Sequence, residues 1–418
     1  MQARPVFAKK FMWGASISAH QVEGGQHNQW TIWEQENAAS LAARAPYHYG
    51  ELANWPDIKR LATTPANYVS GRAVDHYRRY SEDFEMASKL GMNSLRVSIE
   101  WSRIEPEAGV WNAEAIEHYR QYFASMKQHG LAPVVTLFHF TLPVWFSELG
   151  GFSRRSNVQY FTRFVEKILD EYGEHLRYII TINEPTIYAS ESYLTGHWPP
   201  NIQSKRSFMA VLNNLIVAHN RSAKLIRARS RKYQVSIAYH VSHIYAGDDS
   251  YLSEATAKQL SYWRNHYVIK RTVKTSTFIG LNYYGSDRVY GYRVHNPNDR
   301  TSDMGWDLQP GDIRYVLEDL ADRYDKPVLI TENGLADADD SQRAWWLTST
   351  VTGIHQAVKG GVSVLGYLHW SLLDTIEWDK GRWPRFGLIE VDYRTMKRTP
   401  RESAAVYRRM IKKLTKEK

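Results

Sequence analysis

Along the chain, short apolar or β-branched runs alternate with longer segments in which apolar residues recur three and four apart between charges. The short runs cover residues 11–15, 94–99, 132–137, 178–182, 235–239, 278–281, 327–331 and 362–368, each of strand length. Helical spacing fills the gaps, at 80–90, 113–129, 157–172, 207–230, 253–273, 312–324, 342–359 and 400–416. Asn112, Ser156 and Asp312 stand where helix N-caps are expected, and Leu90-Gly91 closes the first of these helices ahead of a strand. Strands alternating with helices predict a parallel sheet. Eight of each predict its closure into a single (β/α)8 TIM barrel over residues 1–418, of the α/β class. An open doubly wound sheet is the alternative. It usually carries a glycine-rich phosphate loop, and neither G-x-G-x-x-G nor G-x-x-x-x-G-K-[ST] occurs.

A barrel places its active site at the C-terminal ends of its strands, on long βα loops. Reading off those ends gives Arg96 within the second strand, His139 after the third, Asn183 and Glu184 after the fourth and His240 after the fifth. Asn282 and Tyr284 follow the sixth, Glu332 and Asn333 the seventh, and Trp370 the eighth. This set is expected to converge on one mouth.

Composition narrows the picture. At about 150 residues per domain, 418 residues would make two or three domains, but α/β barrels run longer as one. Apolar residues at 43% and charged residues at 23% fit a folded chain and not disorder or a coiled coil. There is no cysteine, which excludes a disulfide framework, thiol catalysis and cysteine-ligated metal. Residues 1–10 show no apolar core of signal-peptide length. Two uncharged stretches, 130–146 and 360–373, fall short of the roughly 20 apolar residues that span a bilayer. A soluble, cytoplasmic protein is expected. The net charge of +9 would suit nucleic acid or an anionic membrane. Its clusters are Arg227, Arg229, Arg231 and Lys232, and Arg408, Arg409, Lys412, Lys413, Lys416 and Lys418. Both lie on or just after helical patterns, where a solvated face is the simpler reading. Aromatics make up 13% of the chain, with 15 Trp, and serve cores or stack on sugars or bases.

Glu184 stands in Thr181-Ile182-Asn183-Glu184-Pro185 and Glu332 in Thr331-Glu332-Asn333-Gly334, each directly after an apolar run. Pro185 predicts extended backbone at Glu184. Either Glu alone fits a helix cap or a salt bridge. Two on rigid strand ends supply what glycoside hydrolysis needs: one carboxyl to protonate the leaving oxygen and one to attack the anomeric carbon or activate water.

These motifs belong to a larger set. It begins with Phe11-Met12-Trp13-Gly14-Ala15-Ser16, Gln21-Val22-Glu23-Gly24, Asp75-His76-Tyr77 with Glu82-Asp83, and Arg96-Val97-Ser98-Ile99-Glu100-Trp101-Ser102-Arg103-Ile104. It continues with His139-Phe140-Thr141-Leu142-Pro143, Gly196-His197-Trp198-Pro199-Pro200, Gly280-Leu281-Asn282-Tyr283-Tyr284 and Met304-Gly305-Trp306. Trp370-Ser371-Leu372-Leu373-Asp374, Glu377-Trp378 and Arg385-Phe386-Gly387-Leu388 complete it. In this order they make the chain resemble glycoside hydrolase family 1, the β-glucosidase and β-galactosidase family, as a short member.

The resemblance implies a retaining, exo-acting β-glycosidase on terminal, non-phosphorylated β-D-glycosides, β-glucosidase first, with no cofactor and no metal. Its substrate partner is a small-molecule or oligosaccharide β-glycoside, not nucleic acid or membrane. It places the acid/base on Glu184 and the nucleophile on Glu332, about 5–5.5 Å apart. Arg96, Tyr284 and Asn282 match the supporting residues, and Arg96 and Tyr284 are expected to hold Glu332 ionised. Gln21, His139, Asn183, Glu377 and Trp378 match residues that bind glycone hydroxyls. Trp370 matches the stacking floor and Phe386 the wall. Taken singly, His139 fits a satisfied core histidine, Gln21 a turn residue, and Trp370 or Trp378 a core aromatic. Trp13 and Trp101 fit wall packing equally well, and His240 matches no assigned role.

The chain departs from the family pattern at Asp374-Thr375-Ile376-Glu377-Trp378, at Phe140 and at Gly381-Arg382. Residues 240–277 look shortened, which opens the leaving-group side, while residues 43–70 form an unusual segment after the first strand. A catalytically weak sugar-binding barrel, a transglycosidase and a nucleic-acid-binding protein are the competing readings. Glucose, galactose, fucose and mannose stay undistinguished.

Overall fold

The computed structural model describes residue 7 and residues 10–416. Eight parallel strands close into a barrel: β1 Met12–Ser16, β2 Ser94–Ser98, β3 Ala132–Thr136, β4 Tyr178–Asn183, β5 Gln234–His240, β6 Ile279–Asn282, β7 Val328–Glu332 and β8 Val364–Trp370. Each strand pairs with its neighbour in sequence, and β8 closes on β1 with Ser16 opposite Trp370. All eight predicted runs are therefore barrel strands, displaced by no more than two residues at either end. Strand 1 lies so close to strand 2 that a Cβ at Gly14 would stand 1.9 Å from Ser94 O, so no other residue fits there.

Two cores share the work. Met12, Val134, Ile180, Ala238, Phe278, Leu329 and Leu368 fill the barrel interior. A larger core lies between the strands and the surrounding helices. The helix Val158–Tyr172 shows why its sequence is helical. Val158, Phe161, Val165, Ile168 and Tyr172 recur three and four apart and are all buried. Truncating a buried phenylalanine such as Phe161 to alanine costs about 3–5 kcal/mol.

Of the expected caps, Asn112 accepts from Ala115 N at 3.1 Å. Ser156 does not cap, because a 3-10 turn at Arg155–Asn157 precedes the helix and Asn157 donates back to Leu149 O at 3.0 Å and Gly151 O at 2.9 Å. Asp312 spends its carboxylate on Ser286 Oγ at 2.7 Å. The pattern 253–273 is broken by a wider π turn at Tyr262–His266 between helices Tyr251–Ser261 and Tyr267–Thr272.

The unusual first connection holds helices Gln29–Tyr49 and Trp55–Ala62. The first buries Gln29, Glu34 and alanines beside its two tryptophans, and carries Pro46 near its end, so it lacks the apolar stripe of a helix such as Val158–Tyr172. Ala45, Ile58 and Ala62 pack on Trp383, against Tyr49, Leu52, Trp55 and Met304, which joins this segment to the loop after β8. The arginine that departs from the family pattern fastens the same join. Arg382 Nη2 donates to Val69 O at 2.9 Å and Ser70 O at 3.1 Å, and Arg382 N donates to Asn67 Oδ1 at 2.8 Å.

Among the described residues no helix is long and apolar enough to cross a membrane. Within the first basic cluster, Arg227 donates to Arg231 O and Tyr233 O, and Arg229 pairs with Asp170. The expectation for residues 1–10 rests largely on residues outside those described, as do Lys418 and the side chain of Lys416.

Candidate active site

The two glutamates stand where the barrel's pairing slips. The register shifts between Ile180 and Asn183 on β4 against β5, and between Ile330 and Glu332 on β7 against β6. Irregularities of this kind bend a strand end and re-aim its side chains. Glu184 is not extended as Pro185 predicts. It adopts φ 41 and ψ 61, in the left-handed region, while its N–H donates to Ala238 O at 2.8 Å and its C=O accepts from Tyr188 N at 3.0 Å. Those two backbone bonds, together with Pro185 opening the helix Pro185–Tyr193, hold a conformation that costs about 1–3 kcal/mol and concentrates at functional sites.

Both side chains face one cavity of about 220 Å³. His139, Asn183, Tyr284, Trp370, Glu377, Trp378 and Phe386 line it with them, as the sequence predicts. Arg96 and Asn282 act from behind. Arg96, buried inside the barrel, donates from Nη1 to Glu332 Oε1, from Nη2 to Asn183 Oδ1 at 2.7 Å and from Nε to Thr136 Oγ1 at 2.9 Å. Tyr284 OH donates to Glu332 Oε2 at 2.8 Å. Asn282 Nδ2 donates to Glu184 Oε1 at 2.7 Å and is oriented by Thr331 Oγ1 on its carbonyl, also at 2.7 Å.

Burial dominates the charge state of Glu332. It pushes the carboxyl up to about 7, against the lowering effect of Arg96 and with a further rise from Glu184. Arg96 and Tyr284 both favour the ionised form, and they act against the desolvation that raises it. Glu377 is likewise pushed up to about 8 by burial, with Lys380 opposing.

Asn183 settles the tautomer of His139. Its Oδ1 accepts from Arg96 and, at 3.1 Å, from Asn282, so its Nδ2 must be the group facing His139 Nε2 at 3.1 Å. His139 Nε2 is then the acceptor and Nδ1 carries the hydrogen. Burial drives this imidazole well below its ordinary pKa, so it is neutral. Nδ1–H is buried and has no protein hydrogen-bond partner among the described residues.

Several expectations fall elsewhere. Asn333 does not reach the mouth; it donates to Tyr283 O at 2.7 Å and accepts from Trp346 Nε1 at 2.9 Å and Tyr367 OH at 3.0 Å, in the layer behind β7. Gln21 is fully buried, donates to Ile376 O at 2.8 Å and stands 3.5 Å from Glu377 Oε2, so it meets the site through Glu377. Trp13 packs among Phe7, Phe11 and Tyr407, and Trp101 stacks on Phe164. Asp83 and Asp374 are structural clamps. Asp83 binds His76 at 2.7 Å and Arg398 at 2.9 Å, and Asp374 binds Arg385 at 3.1 Å and Arg401 at 3.0 Å.

Residues without a sequence-assigned role also line the cavity, among them Ile187, Glu191, Trp198, Met304, Trp306 and Lys380. Ile187 and Glu191 lie three and seven positions after Glu184, on one face of its helix, a spacing that could have pointed to them. Lys380 has no such signal. Among the described residues no cluster of three or more His, Asp or Glu is placed to hold a metal.

Comparison with known proteins agrees with this geometry. The sequence profile of glycosyl hydrolase family 1 matches residues 3–278 and 265–416. The chain is 28% identical to beta-glucosidase A of Acetivibrio thermocellus, over 97% of this chain and 98% of that one. The alignment runs over 466 positions against 418 residues in this chain, so part of it consists of gaps in this chain. Among solved structures, a beta-glycosidase from Pyrococcus horikoshii superimposes with a TM-score of 0.86 at 31% identity, over 98% of this chain and 96% of that one. A beta-glucosidase from Thermotoga maritima in complex with glucoimidazole superimposes with a TM-score of 0.84 at 25% identity, over 98% and 99%. With its eight-strand barrel and its site at the strand ends, the chain belongs to glycosyl hydrolase family 1.

Proposed function

We propose that this protein is a retaining β-glycosidase that cleaves terminal, non-phosphorylated β-D-glycosides, β-glucosides first, and that residues 1–418 act as one catalytic barrel. The observation that carries this is the pair Glu184 and Glu332 in one cavity with unlike surroundings: Glu332 between a guanidinium and a phenol, Glu184 against a neutral amide. Unlike surroundings divide the roles of two carboxyls.

In this reading Glu332 attacks the anomeric carbon and Glu184 protonates the departing oxygen. Glu184 then takes a proton from the water that releases the sugar from Glu332. The pKa of Glu332 near 7 leaves a substantial ionised fraction at neutral pH. His139, Asn183 and Glu377 line the cavity with polar groups for the sugar's hydroxyls, and Trp370 offers it an apolar face. Glu377 supports a neutral glycone: its buried carboxyl gives a sugar hydroxyl a hydrogen-bond partner, and in its ionised form it would repel a phosphate.

The test uses nitrophenyl β-glycosides of gluco, galacto, fuco and manno configuration, with a 6-phosphoglucoside as a further arm. Turnover of the gluco substrate is expected, with the β-anomer as first product by NMR and a loss of at least about 10³-fold in kcat for Glu332→Ala. An α-anomer as first product, or a Glu332→Ala variant as active as the parent, overturns the reading.

A further inference from the structure

We infer that His240 is a positioning residue for Glu184, one that fixes which oxygen of that carboxyl carries the acid proton; this rests on the acid/base reading of Glu184 above. His240 ends β5, faces the cavity and keeps 27% of its side chain exposed. Its Nδ1 lies 3.5 Å from Glu184 Oε1, the oxygen that already accepts Asn282 Nδ2 at 2.7 Å. Its ring runs parallel to that of Tyr284, with centroids 6.1 Å apart and planes 12° apart. Tyr284 in turn is tied to Glu332, so the imidazole is oriented by the residue that holds the other carboxyl. No motif in the sequence assigns His240 a role.

With the Asn282 N–H donating to Oε1, and His240 Nδ1 near enough to join it on the same oxygen, the proton of the neutral acid is left to the other oxygen. Glu184 Oε2 is therefore the atom that donates. Active-site contacts in unliganded enzymes are often long and tighten once substrate is bound, so 3.5 Å is within working range. The role needs a hydrogen on Nδ1, which the neutral Nδ1–H tautomer and the imidazolium both supply. In the first step the proton passes from Oε2 to the leaving oxygen as that oxygen takes the electron pair of the breaking C–O bond. In the second, Oε2 takes a proton from water as the water oxygen bonds to the anomeric carbon and Glu332 departs with its electron pair. His240 gains and loses no proton in either step.

Leaving-group dependence tests this. An alkoxide needs the proton from Glu184, whereas a dinitrophenolate leaves without it. In His240→Ala, kcat/KM for methyl β-glucoside is expected to fall about tenfold, while 2,4-dinitrophenyl β-glucoside stays within about twofold of the parent. His240→Phe keeps a ring against Tyr284 but removes the donor, and the same selective loss is expected. His240→Asn returns an N–H and is expected to recover much of it. Equal losses on both substrates, a change confined to KM, or an unchanged alkyl glucoside overturns the inference. Glu184→Ala, run in parallel with azide, separates it from the reading beneath. A β-glycosyl azide product upholds the acid/base role whatever His240 does, and its absence removes that role and this inference together.

Discussion

Single side chains at this site serve two ends that pull apart. Glu377 offers a carboxyl to the ligand, yet burial raises its pKa to about 8. In the unfolded chain a glutamate titrates near about 4.3, so the folded protein holds a proton that the unfolded chain releases. The stability contributed by this proton is complete below about pH 4.3 and is lost as pH rises through about 8. Glu377→Gln is therefore expected to melt higher than the parent by a margin that grows from pH 5 to pH 8, while KM for the β-glucoside rises; melts across pH and initial rates check both. Glu332 gives the matching kinetic signature. Only the ionised form attacks, so kcat/KM should climb as pH rises through about 7. Arg96 works to lower that pKa, so in Arg96→Lys, which cannot make the same forked contacts, the limb should move up by about one unit or more and maximal activity should fall. A pH–rate profile without an ascending limb near 7 would contradict this. At this scale the glutamates, Arg96, Tyr284 and His139 were legible in the sequence as motif positions. Which nitrogen of His139 donates was not, because three hydrogen bonds around Asn183 decide it.

Secondary-structure elements were most legible where strand and helix alternate around the barrel. The barrel strands and the helices that cover them announce themselves, because each must bury one side. The helix Gln29–Tyr49 does not, since its buried side includes Gln29 and Glu34, whose partners lie in other segments. Gln29 donates to Phe140 O at 3.0 Å, and Glu34 accepts from Ser70 N at 2.8 Å. Such pairings cannot be read from spacing along one element. Arg382 fastens the end of this segment to the loop that carries Glu377 and Trp378. Removing it in Arg382→Ala should speed amide exchange in residues 63–70 by about tenfold, the equivalent of about 1.4 kcal/mol, and slow turnover only mildly. Exchange spread evenly over the barrel would show instead that the arginine holds the whole fold.

At the scale of the molecule, the motif aspartates join segments far apart in sequence. Asp83 ties the helix His76–Lys89 to Arg398 near the end of the chain, with His76 as a third member. Burial works to raise the pKa of Asp83, and its bonds to His76 and Arg398 outweigh that and lower it. Its contribution to stability is present above about pH 4 and lost as pH falls further. Asp83→Ala leaves Arg398 buried without its partner and should cost about 3–5 kcal/mol, read as a lower urea midpoint, with the loss shrinking in strong acid. The sequence by itself determined the eight strands, their order and the identity of the two glutamates. Hydrophobic periodicity and motif residues are local properties, and a closed barrel allows eight sequential strands one arrangement. Tertiary structure alone decided the left-handed backbone at Glu184, the retreat of Asn333 from the mouth, the raised pKa of Glu332 and the place of His240 beside the acid. Each depends on register shifts, desolvation and contacts between strands distant in sequence, and those exist only once the barrel has closed.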